Sequence, residues 1–390
     1  MSTPGCARPL APARAREGTG WSDRAFRGTI VCVLRTGVLL LLRESSQRLT
    51  AIARAIDAWG YDDLWLADER FFRDVYASLA LCAQHTTRVR LGPCVTDPYS
   101  RHPALTAVAV ATLDEISGGR AILGFGAGLS GFHELGVRAN RPLVAMREGI
   151  QVIRGLLAGE TVDLEGEAVR FRQGKLDFAP PRPRVPIYIA SQRVGGLRLA
   201  GRIADGAIMQ GCVAEPLLAF FRETVREGAE KEGRRPADVE LVARVNVAIA
   251  PDATTGRDLM RPSIARHLLA ERPELPTFER AGLPVPQSLR DRLMAMEYTH
   301  DPRQVNALAG EVPDALVDAV SLAGEPERVA AGVVRLAQGG IGQFLVYPVA
   351  PAGRVEAALE AFQRDVMPLV HEALASSVAA SRDSPTERRR

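Results

Sequence analysis

Eight short apolar runs alternate with amphipathic helical segments along this chain, and no other feature narrows its fold as much. The runs are Val38–Arg43, Leu64–Ala67, Val89–Val95, Ala121–Phe125, Pro186–Ala190, Gly206–Gln210, Val239–Ile249 and Phe344–Pro348. The first, VLLLLR, is almost continuously apolar, which suits a parallel strand buried on both faces. After it, Leu49, Ile52, Ala53 and Ile56 fall at helical spacing, with Ser46 as N-cap and Gly60 just past the end. Pro103 fits the first position of another helix, closed by Gly118 and Gly119. Eight strands, each followed by a helix, predict a (β/α)8 TIM barrel with right-handed crossovers.

Two segments break the rhythm and read as insertions after strands 4 and 7. Thr161–Phe178 alternates like a hairpin, turning at Glu165 and Gly166. Arg261–Ser321 carries seven prolines, from Pro262 to Pro313. At that end of a barrel it reads as a lid over the mouth, with a surface excursion or a dimer contact as the alternative.

Composition sets the class. The chain has 390 residues, 46% hydrophobic and 24% charged, with a net charge of +3. That is an ordinary globular balance, enough for one large domain, placed at residues 37–375. Residues 1–36 read as a disordered basic extension and 376–390 as a disordered tail. An upstream start of translation would account for the first. The basic residues outside the tails are scattered, so no nucleic-acid partner is expected. Thr29–Leu42 is apolar but too short to span a bilayer and is broken by Arg35, so no membrane partner is expected either. Five dispersed cysteines without CxxC spacing point to a reducing, cytoplasmic setting. Neither HxH nor HExxH occurs, and no metal site is expected.

Candidate chemistry gathers at the carboxyl ends of the strands, the working edge of a parallel barrel. The second strand ends in Asp68 and Glu69. A carboxyl group in an apolar pocket beside a second carboxylate holds its proton more tightly, which suits proton donation or abstraction. A structural ion pair of Glu69 with Arg70 or Arg73 is the plainer reading. The third strand runs into GPCVTDPYSRHP, which brings Cys94, Val95, Thr96, Asp97, Arg101 and His102 to the same edge. Gly124, Gly126 and Gly128, with Ala127 between the last two, form GxGxG rather than a dinucleotide fingerprint. Small residues there admit a planar ring close to the backbone. His133 follows and is assigned to the substrate pocket with Asp97 and His102. Ser191, Gln192, Arg193 and Gly195 open the helix after the fifth strand, where free N–H groups suit a phosphate.

Several of these segments share a resemblance. LWLADERF (Leu64–Phe71), LGPCVTDPYSRHP (Leu91–Pro103), AILGFGAGLSGF (Ala121–Phe132), PIYIASQRVGGLRLAGRIADGAI (Pro186–Ile208) and GEPERVAAGVVRLAQGGIGQFLV (Gly324–Val346) occur in this order. Together they resemble the luciferase-like flavin and deazaflavin oxidoreductases, in particular the methylenetetrahydromethanopterin reductases, over roughly Val38 to Val370. The resemblance implies a non-prolyl cis peptide at Cys94–Val95, in a bulge that supports the cofactor ring. It implies Cys94, Val95, Thr96, Gly126, Ala127, Gly128, Ser191, Gln192, Arg193 and Gly195 as cofactor-binding residues. It also implies Asp68 and Glu69 as catalytic residues. Glu69 stands where deazaflavin members often carry His, and Ser191–Arg193 departs from the family's small residues. The expected cofactor is coenzyme F-420 (8-hydroxy-5-deazaflavin) or FMN, and a homodimer is expected. The expected reaction is hydride transfer between F-420 and a small organic substrate. The alternatives are an FMN-dependent monooxygenase using O2, a non-catalytic flavin-binding scaffold, and a metal-dependent hydrolase on the same barrel.

Overall fold

In a computed structural model, residues 34–128, 131–297, 302–351 and 353–382 are described. The eight predicted strands all form, several with shifted ends: β1 (Arg35–Leu40), β2 (Asp63–Leu66), β3 (Arg90–Pro93), β4 (Leu123–Phe125), β5 (Ile187–Ala190), β6 (Gly206–Gln210), β7 (Glu240–Ile249) and β8 (Gln343–Pro348). All pair in parallel, in the order β3-β2-β1-β8-β7-β6-β5-β4. Bridges Leu91–Ala121 and Thr96–Phe125 join β3 to β4 and nearly close the TIM barrel. Helices α1 (Ser46–Trp59), α2 (Val75–Gln84), α3 (Pro103–Ser117), α4 (Pro142–Leu157), α5 (Val194–Ile203), α6 (Glu215–Lys231) and α7 (Pro326–Gln338) surround it. A last helical stretch, α8 (355–382), completes the ring.

Two apolar layers follow from strands buried on both faces. Outside the barrel, Val38, Leu64, Leu91, Leu123 and Phe344 pack under the helices. Inside, Leu39, Trp65, Ile122, Tyr188, Ile208, Val242 and Leu345 form a separate cluster, with Trp65 edge-on to Tyr188 at 5.4 Å. Below them lies a polar floor made by the first residues of several strands. Buried Asp63 receives Arg35 Nη2 at 2.6 Å, Arg90 Nε at 2.6 Å and Arg90 Nη2 at 2.8 Å, and Gln343 also donates to it. Tyr188 donates to Glu240 at 2.7 Å.

Several boundaries differ from the sequence reading. β1 begins at Arg35, so Arg35 and Thr36 belong to the barrel rather than to the extension. Arg35 finds its carboxylates, Asp63 and Glu240, on β2 and β7. The final helix runs to Arg382, seven residues past 375. The rest of the extension, 1–33, and of the tail, 383–390, lies outside the described residues. The cap of α1 is Ser45, whose hydroxyl accepts from Arg48 N, one residue ahead of Ser46. The hairpin forms from antiparallel strands Val162–Glu165 and Arg170–Gly174. Glu148 on α4 fastens its turn by accepting from the N–H groups of Glu167 (3.1 Å), Ala168 (2.9 Å) and Val169 (2.9 Å).

The second insertion starts earlier than Arg261. An insert helix, Ala253–Glu271, runs through Pro262 because Met260, Ile264, Ala265 and Leu268 are buried along it. Tertiary packing here outweighs the usual cost of an internal proline. Short helices Pro276–Arg280, Gln287–Ala295, Pro302–Asn306 and Asp314–Val320 follow, then an insert strand, Ser321–Gly324. That strand pairs with residues 246–249 of β7, whereas β6 pairs with 240–244. Asn246 and Val247 also pair with β8, so the insert strand and β6 share one edge of β7. The insertion thereby extends the barrel wall at its carboxyl end.

Candidate functional site

The mouth is built from the strand ends inward. Just past β2, Asp68 pairs with Arg70 at 2.9 Å. Arg70 also reaches Asp97 and Ser100. Asp97 accepts from Tyr99 N and Ser100 N, each at 2.8 Å, and from the Ser100 hydroxyl at 2.8 Å. Its side chain is 1% exposed. Asp97 therefore organises the β3–α3 loop and turns no open oxygen to the mouth, unlike the pocket position expected of it. Burial pushes the Asp68 carboxyl up, although Arg70 opposes the shift. Glu69 is half-buried beside it and lies in the electrostatic field of Arg244.

The Cys94–Val95 peptide is cis, as the resemblance implied. The bulge is locked to β4 on its other side. Thr96 N donates to Gly124 O at 3.1 Å and Gly126 N to Thr96 O at 3.0 Å. A Cβ on Gly124 would lie 2.4 Å from Pro93 O, and one on Gly126 would lie 2.7 Å from Val95 Cγ2. The small residues are thus required by the chain's own packing against the bulge. Burial pushes the Cys94 thiol up to about 12, with Arg244 opposing. Leu129 and Ser130, farther along this loop, lie outside the described residues.

At the β5 end, Ser191 Oγ accepts from Arg193 N at 3.0 Å, and α5 starts at Val194 with no side-chain cap. Arg193 is exposed at that N-terminus. Gln192 turns elsewhere. Its Nε2 lies 3.3 Å from His267 Nε2 on the insert helix and 3.5 Å from Gln210 O. Arg280 donates to Gln192 O at 3.5 Å, so Gln192 ties the insertion to the barrel. Gly195 packs toward Leu143: a Cβ there would meet Leu143 Cδ1 at 2.8 Å.

His102 has a structural job rather than a pocket role. Its Nδ1 accepts from Ala104 N at 3.1 Å and caps α3, while Nε2 sits 3.0 Å from Arg170 O on the hairpin. With Nδ1 accepting, Nε2 carries the proton and donates. His133 is exposed on a short helix, Phe132–Leu135. Among the described residues, no group of three or more His, Cys, Asp or Glu could hold a metal ion, and no helix is long and apolar enough to cross a membrane.

The residues missed by the sequence reading lie on β7 and β8. Arg244 and Asn246 alternate inward beside Val242, and the Arg244 guanidinium stacks over Tyr347 at 4.3 Å. Arg244 Nη1 and Asn246 Oδ1 are buried and have no hydrogen-bond partner. Their signal was present: VARVNVAI places two polar residues on one face of an otherwise apolar strand.

Comparison with known proteins agrees with this architecture. Residues 27–343 match the model of the luciferase-like monooxygenase family. A 5,10-methylenetetrahydromethanopterin reductase of Methanolobus tindarius is 32% identical over 81% of this chain and 94% of its own. An F420-dependent glucose-6-phosphate dehydrogenase of Kineococcus radiotolerans is 28% identical over 83% of this chain and 93% of its own. The solved coenzyme F420 dependent tetrahydromethanopterin reductase of Methanopyrus kandleri superposes with a TM-score of 0.76 at 25% identity, covering 86% of this chain and 99% of that one. The chain belongs to the luciferase-like monooxygenase family and is an oxidoreductase of that superfamily.

Proposed function

We propose that this protein transfers a hydride between coenzyme F-420 and a small organic substrate in the carboxyl-terminal mouth of the barrel. The observation that carries the reading is the near full-length relationship to reductases named for F-420, on a mouth that joins an apolar interior to Asp68 and Glu69. The donor set suits a phosphorylated planar cofactor. The N-terminus of α5 has backbone N–H groups without a side-chain cap, with the Arg193 guanidinium alongside. The bulge at Cys94, Val95 and Thr96 and the loop at Gly126, Ala127 and Gly128 would flank the ring. Ser191, Arg193 and Gly195 would hold the phosphate.

The bound deazaflavin supplies two-electron hydride chemistry. The protein's part is orientation, exclusion of water and proton handling. The layer of Leu39, Trp65, Ile122 and Val242 keeps the underside of the site dry. Arg70 holds Asp68 through their ion pair, and the neighbouring Glu69 would give or take a proton at its carboxyl oxygen. Titration of the purified protein with F-420 and with FMN, followed by the ring absorption band, tests the proposal. A band shift with F-420 is expected. A shift with FMN alone would replace the reading with the flavin monooxygenase, and a shift with neither would overturn both.

A further inference from the structure

A buried guanidinium normally has a carboxylate or several carbonyls around it, because removing an unpaired charge from water is unfavourable. Arg35 and Arg90, at the barrel floor, obey this through Asp63. Arg244, on the inner face of β7, does not. The residue is half-buried, and its Nη1 is fully buried without a hydrogen-bond partner. Tyr347 provides a ring face, and Cys94 and Glu69 are the other groups that face it electrostatically. Two residues farther toward the mouth on the same strand face, the amide oxygen of Asn246 is also buried and unpartnered. One orphan is a cationic donor and its neighbour is an acceptor, and the two sit where the barrel opens.

We infer that Arg244 and Asn246 form a recognition pair for a ligand group that presents a carbonyl or carboxylate oxygen next to an N–H or O–H donor. The oxygen accepts from Arg244 Nη1, and the adjacent donor is received by Asn246 Oδ1. Two sources carry this chemistry. One is the pyrimidinedione edge of the cofactor ring, with its alternating carbonyl and N–H groups. The other is a substrate whose carboxylate lies beside a hydroxyl or amide. The inference deepens the hydride-transfer reading and, in its first form, rests on it. The pair's unmet hydrogen-bonding capacity exists whichever ligand fills it.

The test uses the full chain and the variants Arg244→Met, Arg244→Lys and Asn246→Leu. Coenzyme F-420 affinity is read from ring fluorescence, and lactate, a carboxylate beside a hydroxyl, is used as a thermal-shift probe. If the ring is the partner, Arg244→Met weakens F-420 binding about 10- to 100-fold, the scale of a hydrogen bond to a charged group, and Arg244→Lys restores part of it. If the substrate is the partner, F-420 affinity is unchanged, and lactate raises the melting temperature of the wild type but not of Arg244→Met. Lactate protection of the wild type only, without F-420 binding, keeps the pair and removes the hydride-transfer reading. Arg244→Met should melt no lower than the wild type without ligand, because a cation with a buried, unpartnered nitrogen has gone. Equal F-420 affinity together with equal lactate response in wild type, Arg244→Met and Asn246→Leu would overturn the inference. A lower melting temperature of Arg244→Met with unchanged binding would do the same, by making Arg244 a structural residue.

Discussion

At the floor of the barrel, Asp63 is surrounded by donors from Arg35, Arg90 and Gln343, and Tyr188 closes on Glu240. At the mouth, along the same barrel interior, Arg244 Nη1 and Asn246 Oδ1 have no hydrogen-bond partner. Both ends carry buried charge in ion pairs, Asp63 with Arg35 and Arg90 at the floor and Arg70 with Asp68 and Asp97 at the mouth, but only the mouth also holds a cation, Arg244, with a buried nitrogen left unpartnered. Ion pairs pin the strands to one another at the floor, although Gln343 Oε1 there also has no hydrogen-bond partner. The unpartnered cationic nitrogen at the mouth has capacity left for a ligand. In a parallel barrel this matches the division between a stabilising amino-terminal face and a reactive carboxyl-terminal one.

Four substitutions probe that contrast, in decreasing order of expected effect. Asp63→Ala takes the carboxylate from Arg90 at the floor and leaves Arg35 with Glu240 alone, and should cost about 3–5 kcal/mol of stability, read by chemical denaturation. Coenzyme affinity, corrected for the folded fraction, should stay as it was. A loss of intrinsic affinity would show that floor and mouth are coupled. Glu69→Gln should leave the fold and F-420 binding intact and slow turnover by about 100-fold, or about 2.7 kcal/mol in the barrier, if Glu69 handles the proton. Unchanged turnover would return Glu69 to an ion-pairing role. Arg193→Ala should weaken F-420 binding by about 1–3 kcal/mol, and an unaltered dissociation constant would move the phosphate elsewhere.

The smallest effect is a pH slope. Burial holds the Asp68 carboxyl above its ordinary range, against the pull of Arg70. The folded state then binds that proton more tightly than the unfolded chain. The stability it contributes is complete below the ordinary carboxylate pKa and is lost as pH rises through the raised folded value. Asp68→Asn should flatten this part of the curve of melting temperature against pH. A slope identical to that of the wild type would place the titration on another group.

Much of the scaffold could be read in advance because its signals are local. The apolar run at Val38, the periodic face Leu49–Ile56 and the turn residues Gly60 and Gly118 each report on their own neighbourhood. So does the pairing of Asp68 and Glu69 at a strand end. The polar residues were harder. His102 looked like a pocket residue and is a cap, because its second partner, Arg170 O, lies on the hairpin 68 residues away. Gln192 looked like a phosphate ligand and reaches the insert helix at His267, 75 residues on. The insertion reads as beginning at Arg261, yet Arg261 and Pro262 lie inside a helix along which Met260, Ile264, Ala265 and Leu268 are buried.

The sequence by itself determined the order and approximate limits of the eight barrel strands and the helices between them, since backbone propensity and hydrophobic period act over a few residues. It also determined which strand ends carry ionisable groups. Only the tertiary structure decided which of those groups are balanced. The donors to Asp63 include Gln343, 280 residues away, and Arg244 is recognisable as unpaired only once every wall of the barrel stands around it. Electrostatic and hydrogen-bonding satisfaction depends on distance in space, and the closed barrel brings those distances into being.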